Sequence, residues 1–154
     1  MWTLYHHPSH PGSRKVRLAL SELNLPCTVE LESYWLHRPE FTRLNVASEV
    51  PVLLLDEGQS IVGDQAICEF IDEMKPDHSL LGPSLEQRSE TRRLLQWFDQ
   101  KFAREVTDNI IGEKLMKRLT HSGSPMADAI RAGIANIHYH LDYIGWLTER
   151  RNWL

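Results

Sequence analysis

The chain has 154 residues, of which 42% are apolar and 25% charged, with only eight Gly and eight Pro. This length fits one ordinary domain or two small ones, and the composition excludes disordered, low-complexity and collagen-like chains. The longest apolar run, at 50–55, is far shorter than the ~18 residues of a membrane span. The N-terminus lacks the pattern of a secretory signal. We therefore expect a soluble, cytoplasmic protein.

Charge is distributed unevenly along the chain. Residues 1–83 carry six Lys or Arg against twelve Asp or Glu, whereas the remainder is mildly basic. An acidic front half argues against non-specific nucleic-acid binding, which needs a clustered basic surface. One basic cluster, Lys114, Lys117 and Arg118, is explained by the favourable position of cations at a helix C-terminus, but it is also the best candidate surface for an acidic partner.

The first 75 residues predict a β-α-β-α-β-β-α succession. Short runs of β-branched, aromatic and aliphatic residues predict four strands, at 2–6, 27–31, 50–55 and 60–62. Apolar residues at helical spacing predict three helices, at 16–23, 39–45 and 65–74. Asp64 is expected to be the N-cap of the third helix. A strand–helix–strand unit implies a parallel pair, and the tight turn at 56–59 implies an antiparallel hairpin.

The second half contains no strand pattern after a linker punctuated by Pro76, Gly82 and Pro83. Apolar residues three and four apart over 85–119 and 126–147 predict two long amphipathic helices that pair antiparallel. We thus predict an α/β domain over 1–75 and an all-α domain over 84–154. Two helices cannot bury broad apolar stripes on both of them. We expect either further helices beyond the chain, which we favour, or a second subunit in a homodimer.

Three motifs carry a family resemblance: Ser13-Arg-Lys-Val-Arg-Leu-Ala-Leu20, Glu49-Val-Pro-Val-Leu53 and Gly63-Asp-Gln-Ala-Ile-Cys-Glu-Phe70. They resemble the soluble glutathione S-transferase superfamily, in which they correspond to the first helix, a cis-proline loop and the turn that opens the third helix. The resemblance implies a thioredoxin-like N-terminal domain followed by an all-α domain. It also implies a transferase reaction, in which the thiolate of glutathione attacks an electrophilic substrate. The family's helical domain normally continues beyond Trp153, so this chain looks shortened.

The expected ligand site uses Val50, Pro51, Asp64 and Gln65. A cis Val50–Pro51 bond would turn the N–H and C=O of Val50 outward, where an extended peptide such as glutathione can pair with them. Asp64 and the backbone N–H of Gln65 would hold the α-amino and α-carboxylate groups of that ligand at the start of a helix. The alternatives are an ordinary strand entrance at Val50–Pro51 and a plain N-cap at Asp64.

The family resemblance places the thiol-activating residue six positions before Val16, at His10. Family members use Ser, Cys or Tyr to donate a hydrogen bond that stabilises the nucleophilic thiolate. His10 could donate as a neutral ring or attract the thiolate as an imidazolium, and Ser9 and Ser13 are neighbouring candidates. Because histidine is not the family's residue, and Gln65 stands where the family has serine, the site is degenerate. The leading prediction is a glutathione-transferase-like protein, and a non-catalytic protein is the alternative.

A narrower resemblance favours the non-catalytic alternative. His6-His-Pro8, Trp97-Phe-Asp-Gln-Lys-Phe102 and Ile130-Arg-Ala-Gly133 resemble a bacterial, FzlA-like subgroup of glutathione-transferase-like proteins. This resemblance implies binding to the division GTPase FtsZ in cell division in place of catalysis. Loss of the thiol-activating residue is what such a role implies.

Eight histidines and two cysteines raise the question of metal or redox chemistry. His138 and His140 are two positions apart on a predicted helix, so their side chains point to different faces and do not chelate together. Cys27 and Cys68 lack a C-x-x-C spacing. We predict no metal site and no thioredoxin-type redox site.

Overall fold

The computed structural model describes residues 1–151. Residues 152–154, the end of the predicted all-α domain, lie outside the described part. The chain divides into two compact units, Met1–Ser89 and Glu90–Leu154. The first is α/β and the second is all-helical, which confirms the predicted fold class. Among residues 1–151, no helix combines the length and the apolar character needed to cross a bilayer.

The first unit is built on a four-stranded mixed sheet in the order β2-β1-β3-β4. The strands are β1 (Thr3–His6), β2 (Thr28–Leu31), β3 (Val52–Leu54) and β4 (Ser60–Val62). β1 pairs parallel with β2 and antiparallel with β3, and β3 pairs antiparallel with β4. The predicted parallel pair and the predicted hairpin are both confirmed.

Three helices accompany the sheet: α1 (Pro11–Glu22), α2 (Pro39–Thr42) and α3 (Asp64–Glu73). The prediction that Asp64 is the N-cap of α3 is wrong. Gly63 is the cap, with a φ of 89°, and Asp64 is the first helical residue. A positive φ at the cap strains most side chains but not glycine, so the carboxylate of Asp64 is displaced by one position into the first turn.

The core of the first unit has two parts because neighbouring residues of β3 point to opposite sides of the sheet. Leu53 belongs to the larger cluster, which contains the apolar stripes of α1 and α3, including the fully buried residues Val16, Ile67 and Ile71. Val52 belongs to a smaller cluster with Phe41 and Val50. This smaller cluster anchors the bend that precedes β3.

The second unit begins at Glu90, within the first of two long helices. α4 (Leu85–Gln96) continues without a break into a π-helical segment (Trp97–Met116) and then α5 (Lys117–Thr120), and α6 (Ala127–Thr148) returns after a loop. Asn136 of α6 donates a hydrogen bond from Nδ2 to the carbonyl oxygen of Glu105, at 3.0 Å. Large apolar side chains are exposed along α6, as expected for two helices alone: Ile134, Tyr139, Leu141 and Trp146.

Candidate functional site

Three segments meet around the predicted ligand site: the start of α1, the bend before β3 and the start of α3. The N–H of Gly63 donates to the carbonyl oxygen of Pro51, at 3.1 Å. A Cβ at Gly12 would lie 2.8 Å from Cγ of Asp64, so the start of α1 lies against this side chain and a larger residue at position 12 would displace it. The fold thus brings together segments that are far apart in sequence.

The bend before β3 presents main-chain groups. The Val50–Pro51 peptide bond is cis, and both side chains are buried. The antiparallel pairs of β3 begin at Val52, so the N–H and C=O of Val50 take no part in sheet pairing. They are the groups that an extended ligand would use.

His10 is the N-cap of α1. Its Nδ1 accepts a hydrogen bond from the backbone N–H of Ser13, at 3.3 Å. Burial lowers the pKa of His10 below its ordinary 6.5, against the opposing effect of Asp64 and Glu49. Because Nδ1 is the acceptor, the neutral ring carries its proton on Nε2. This arrangement suits hydrogen-bond donation from Nε2 and disfavours the imidazolium.

Both candidate serines contact His7 through their hydroxyl groups. Ser13 is fully buried, and its Oγ accepts a hydrogen bond from the backbone N–H of His7, at 3.3 Å. The Oγ of Ser9 lies 2.6 Å from Nδ1 of His7. Both hydroxyls therefore help to order the segment that leads into α1.

Asp64 and Gln65 stand at the start of α3 in different environments. The carboxylate of Asp64 forms an ion pair with Nζ of Lys15, at 2.5 Å, and the side chains are only 28% and 21% exposed. The ammonium group of a ligand would have to share this carboxylate with Lys15. The side chain of Gln65 is exposed, and its N–H belongs to the first turn of α3, where backbone donors lack helical partners.

An aromatic group that was not predicted from the sequence lies beside His10. The ring of Tyr34 lies 5.9 Å from that of His10, and the ring of Trp35 lies 4.9 Å from that of His7, centroid to centroid. Burial, and then Glu49, raise the pKa of Tyr34. Two adjacent aromatic residues in the loop after β2 were the available signal. Only the fold shows that this loop reaches the start of α1.

The described histidines and carboxylates do not assemble into a metal site. Over residues 1–151, no group of three or more His, Cys, Asp or Glu side chains could hold a metal ion. On α6, His138 is exposed and His140 is fully buried, which confirms that the two point to different faces.

Comparison with known proteins identifies the class. Residues 11–74 match the family model for the glutathione S-transferase N-terminal domain. The crystal structure of a glutathione S-transferase from Rhodospirillum rubrum F11 is 47% identical and superposes with a TM-score of 0.96, covering 100% of this chain and 69% of that one. The chain therefore belongs to the glutathione S-transferase superfamily, and the predicted resemblance is confirmed.

Within that superfamily, the chain is similar to FtsZ-localized protein A of Caulobacter vibrioides (strain NA1000 / CB15N). The two are 44% identical over 155 aligned positions, which cover 99% of this chain and 68% of that protein. The structure of FzlA from C. crescentus superposes with a TM-score of 0.94 at 44% identity, covering 99% of this chain and 69% of that chain.

One buried and two half-buried histidines near the start of α1 are expected to make stability depend on pH. We expect the free energy of unfolding to fall as the pH drops below about 6.5, because the folded chain holds the pKa of His10 below that value. Between the two pKa values the unfolded chain binds more protons, so stability rises with pH there. His6 and His7, whose pKa values burial also lowers, act in the same direction.

The variant His10→Asn separates titration from capping. Asparagine is a good N-cap but does not titrate, so the variant should remain folded and show a weaker dependence on pH. Urea denaturation midpoints from about pH 5 to 7.5 measure this effect. An unchanged dependence in the variant would show that His10 is not the responsible group.

Proposed function

We propose that this chain is a cytoplasmic, homodimeric, glutathione-transferase-like protein whose principal role is to bind FtsZ in bacterial cell division. The observation that carries this proposal is the similarity to FtsZ-localized protein A, which extends over 99% of the chain. The family model for the transferase N-terminal domain matches only residues 11–74. The R. rubrum glutathione S-transferase also matches the whole chain, so glutathione conjugation is kept as a second candidate.

The ligand site supports a binding role over conjugation. Lys15 already holds the carboxylate of Asp64, which the family resemblance assigns to the α-amino group of glutathione. Ser13 is buried, and its Oγ accepts a hydrogen bond from the backbone N–H of His7. Together these contacts weaken the attraction of the site for a free γ-glutamyl peptide while preserving the fold.

Co-sedimentation with FtsZ tests the principal proposal. We expect the chain to pellet with FtsZ polymers assembled in GTP and to stay in the supernatant with unassembled FtsZ in GDP. The His10→Asn variant should pellet as well as the original chain, because a scaffold does not need the thiol-site donor. Failure of the original chain to pellet would overturn the proposal, and sedimentation velocity of the chain alone tests the homodimer.

Glutathione conjugation is a second candidate, favoured by the hydrogen on Nε2 of His10. We propose that this N–H donates to the sulfur of bound glutathione while the main chain of Val50 pairs with the peptide and Gln65 N–H holds its α-carboxylate. The thiol loses its proton to water. The thiolate then forms a C–S bond at an electrophilic carbon, and the leaving group departs with its electron pair.

Calorimetry and a conjugation assay test this second candidate. If it holds, millimolar glutathione gives measurable heat, and His10→Asn lowers the conjugation rate with an aryl halide by about tenfold or more, as expected for loss of a hydrogen bond to a charged group. Lys15→Met should tighten glutathione binding, because it releases the carboxylate of Asp64. No heat and no turnover in the original chain would exclude conjugation without affecting the FtsZ proposal.

A further inference from the structure

A basic cleft lies at the end of the helical pair. It has a volume of 480 Å³ and is lined by Lys114, Lys117, Arg118 and His121 together with residues 123–125 of the following loop. No Asp or Glu contributes to this lining. The cleft contains the basic cluster for which the sequence suggested an acidic partner. Only the structure shows that the loop at 123–125 forms the rest of the cleft lining.

The loop beside this basic cleft is held in place by a charged pair. Nζ of Lys117 lies 2.6 Å from Oε2 of Glu113, and the same carboxylate oxygen accepts the backbone N–H of Met126, at 2.7 Å. The N–H of Ser122 donates to the carbonyl oxygen of Lys117, at 3.1 Å. The wall of the cleft is thus ordered before any ligand arrives.

Two cations of the basic cleft remain without a carboxylate. Glu113 neutralises Lys117, but over residues 1–151 no acidic side chain pairs with Lys114 or Arg118, and both side chains are exposed. The partial negative charge of a helix C-terminus favours these two cations. Their exposed charged groups can still contact an anionic partner as well. This charge is available to a ligand.

We propose that the basic cleft binds an acidic segment of a partner protein, with Lys114 and Arg118 contacting carboxylates and the loop around Gly123 and Pro125 contacting the peptide chain. Charge complementarity selects an acidic occupant. Apart from His121, the lining residues within 1–151 include no aromatic ring. Single-stranded nucleic acids rely on aromatic rings for base stacking, so the lining favours a peptide over a nucleic acid. The proposal concerns any acidic protein segment and does not depend on FtsZ.

Fluorescence anisotropy with a labelled oligoglutamate peptide tests this inference on the full chain. We expect binding at low ionic strength that weakens as salt is added. The double variant Lys114→Glu/Arg118→Glu should weaken it by about tenfold. The matched control is Arg43→Glu/Lys75→Glu, which changes the net charge equally at two exposed cations of the first unit and should change affinity less than twofold.

Three results would overturn the proposal: no binding of oligoglutamate by the original chain, equal weakening in both double variants, or tighter binding of oligothymidylate than of oligoglutamate. Equal weakening would mean that net charge alone attracts the peptide. Preference for oligothymidylate would mean that the cleft is a nucleic-acid site. Circular dichroism checks that both double variants are folded. We expect them to fold because all four side chains are exposed and no acidic side chain within the described residues pairs with them.

Discussion

His140→Ala is expected to lower the free energy of unfolding by about 3 kcal/mol, because it removes a fully buried ring and two hydrogen bonds. Nδ1 of His140 accepts from Nε1 of Trp97, at 3.1 Å, and Nε2 lies 3.0 Å from Oε2 of Glu105. The indole N–H only donates, so Nδ1 must accept and Nε2–H must donate to Glu105. The ring therefore links α6 to two positions of the π-helical segment.

His138→Ala is the matched control for this prediction. The same substitution two residues earlier removes an exposed ring, and we expect a change of at most about 0.5 kcal/mol. Urea denaturation followed by circular dichroism measures both variants. If His140→Ala proves as mild as His138→Ala, the bonds to Trp97 and Glu105 do not contribute to stability.

Two glycines of α6 should respond oppositely to the same substitution. A Cβ at Gly133 would lie 2.8 Å from Cγ1 of Ile110 and 2.9 Å from Cβ of Asn109. Gly133→Ala therefore forces the two helices apart. Overpacking of this kind costs about 1–3 kcal/mol, and alanine regains ~1 kcal/mol over glycine in a helix, so we expect a net loss of up to about 2 kcal/mol.

Gly145→Ala should stabilise the chain by about 1 kcal/mol, since a Cβ there would meet nothing within 4 Å and only the helix propensity changes. Thermal melting of the two variants compares them directly: Gly133→Ala should melt below the original chain and Gly145→Ala above it. A gain in stability from both substitutions would contradict the close helix contact at Gly133.

This contact explains part of the narrower resemblance noted in the sequence. Ile130-Arg-Ala-Gly133 is one of its motifs, and a glycine inside a helix by itself only lowers helix stability. The structure supplies its physical reason, which is the close approach of Ile110 and Asn109 from the facing helix. The motif therefore reflects packing within the helical pair, whatever ligand or partner the protein has.

The fold class could be predicted because its signals are local. Apolar residues at helical spacing identified both bounds of α6 and the end of α1 within one residue, although α1 begins at Pro11, five residues before its predicted start. The turn at 56–59 identified the β3–β4 hairpin. Motifs also located the three segments that meet at the candidate site. The preference for Asp at an N-cap placed the start of α3 one residue too late. Gly63 adopts the positive φ of the cap, and Asp64 is the first residue of the helix.

The partners of the site residues could not be predicted, because they come from distant parts of the chain. The sequence by itself determined the order of strands and helices, the bend at Val50–Pro51 and the basic cluster near Arg118, since each depends on neighbouring residues. Only the tertiary structure decided that Lys15 occupies the carboxylate of Asp64 and that His140 bonds to Trp97, 43 residues away. Such pairs form when helices and sheet pack against each other. Packing brings together residues that are far apart in the sequence, and no local pattern predicts which of them will meet.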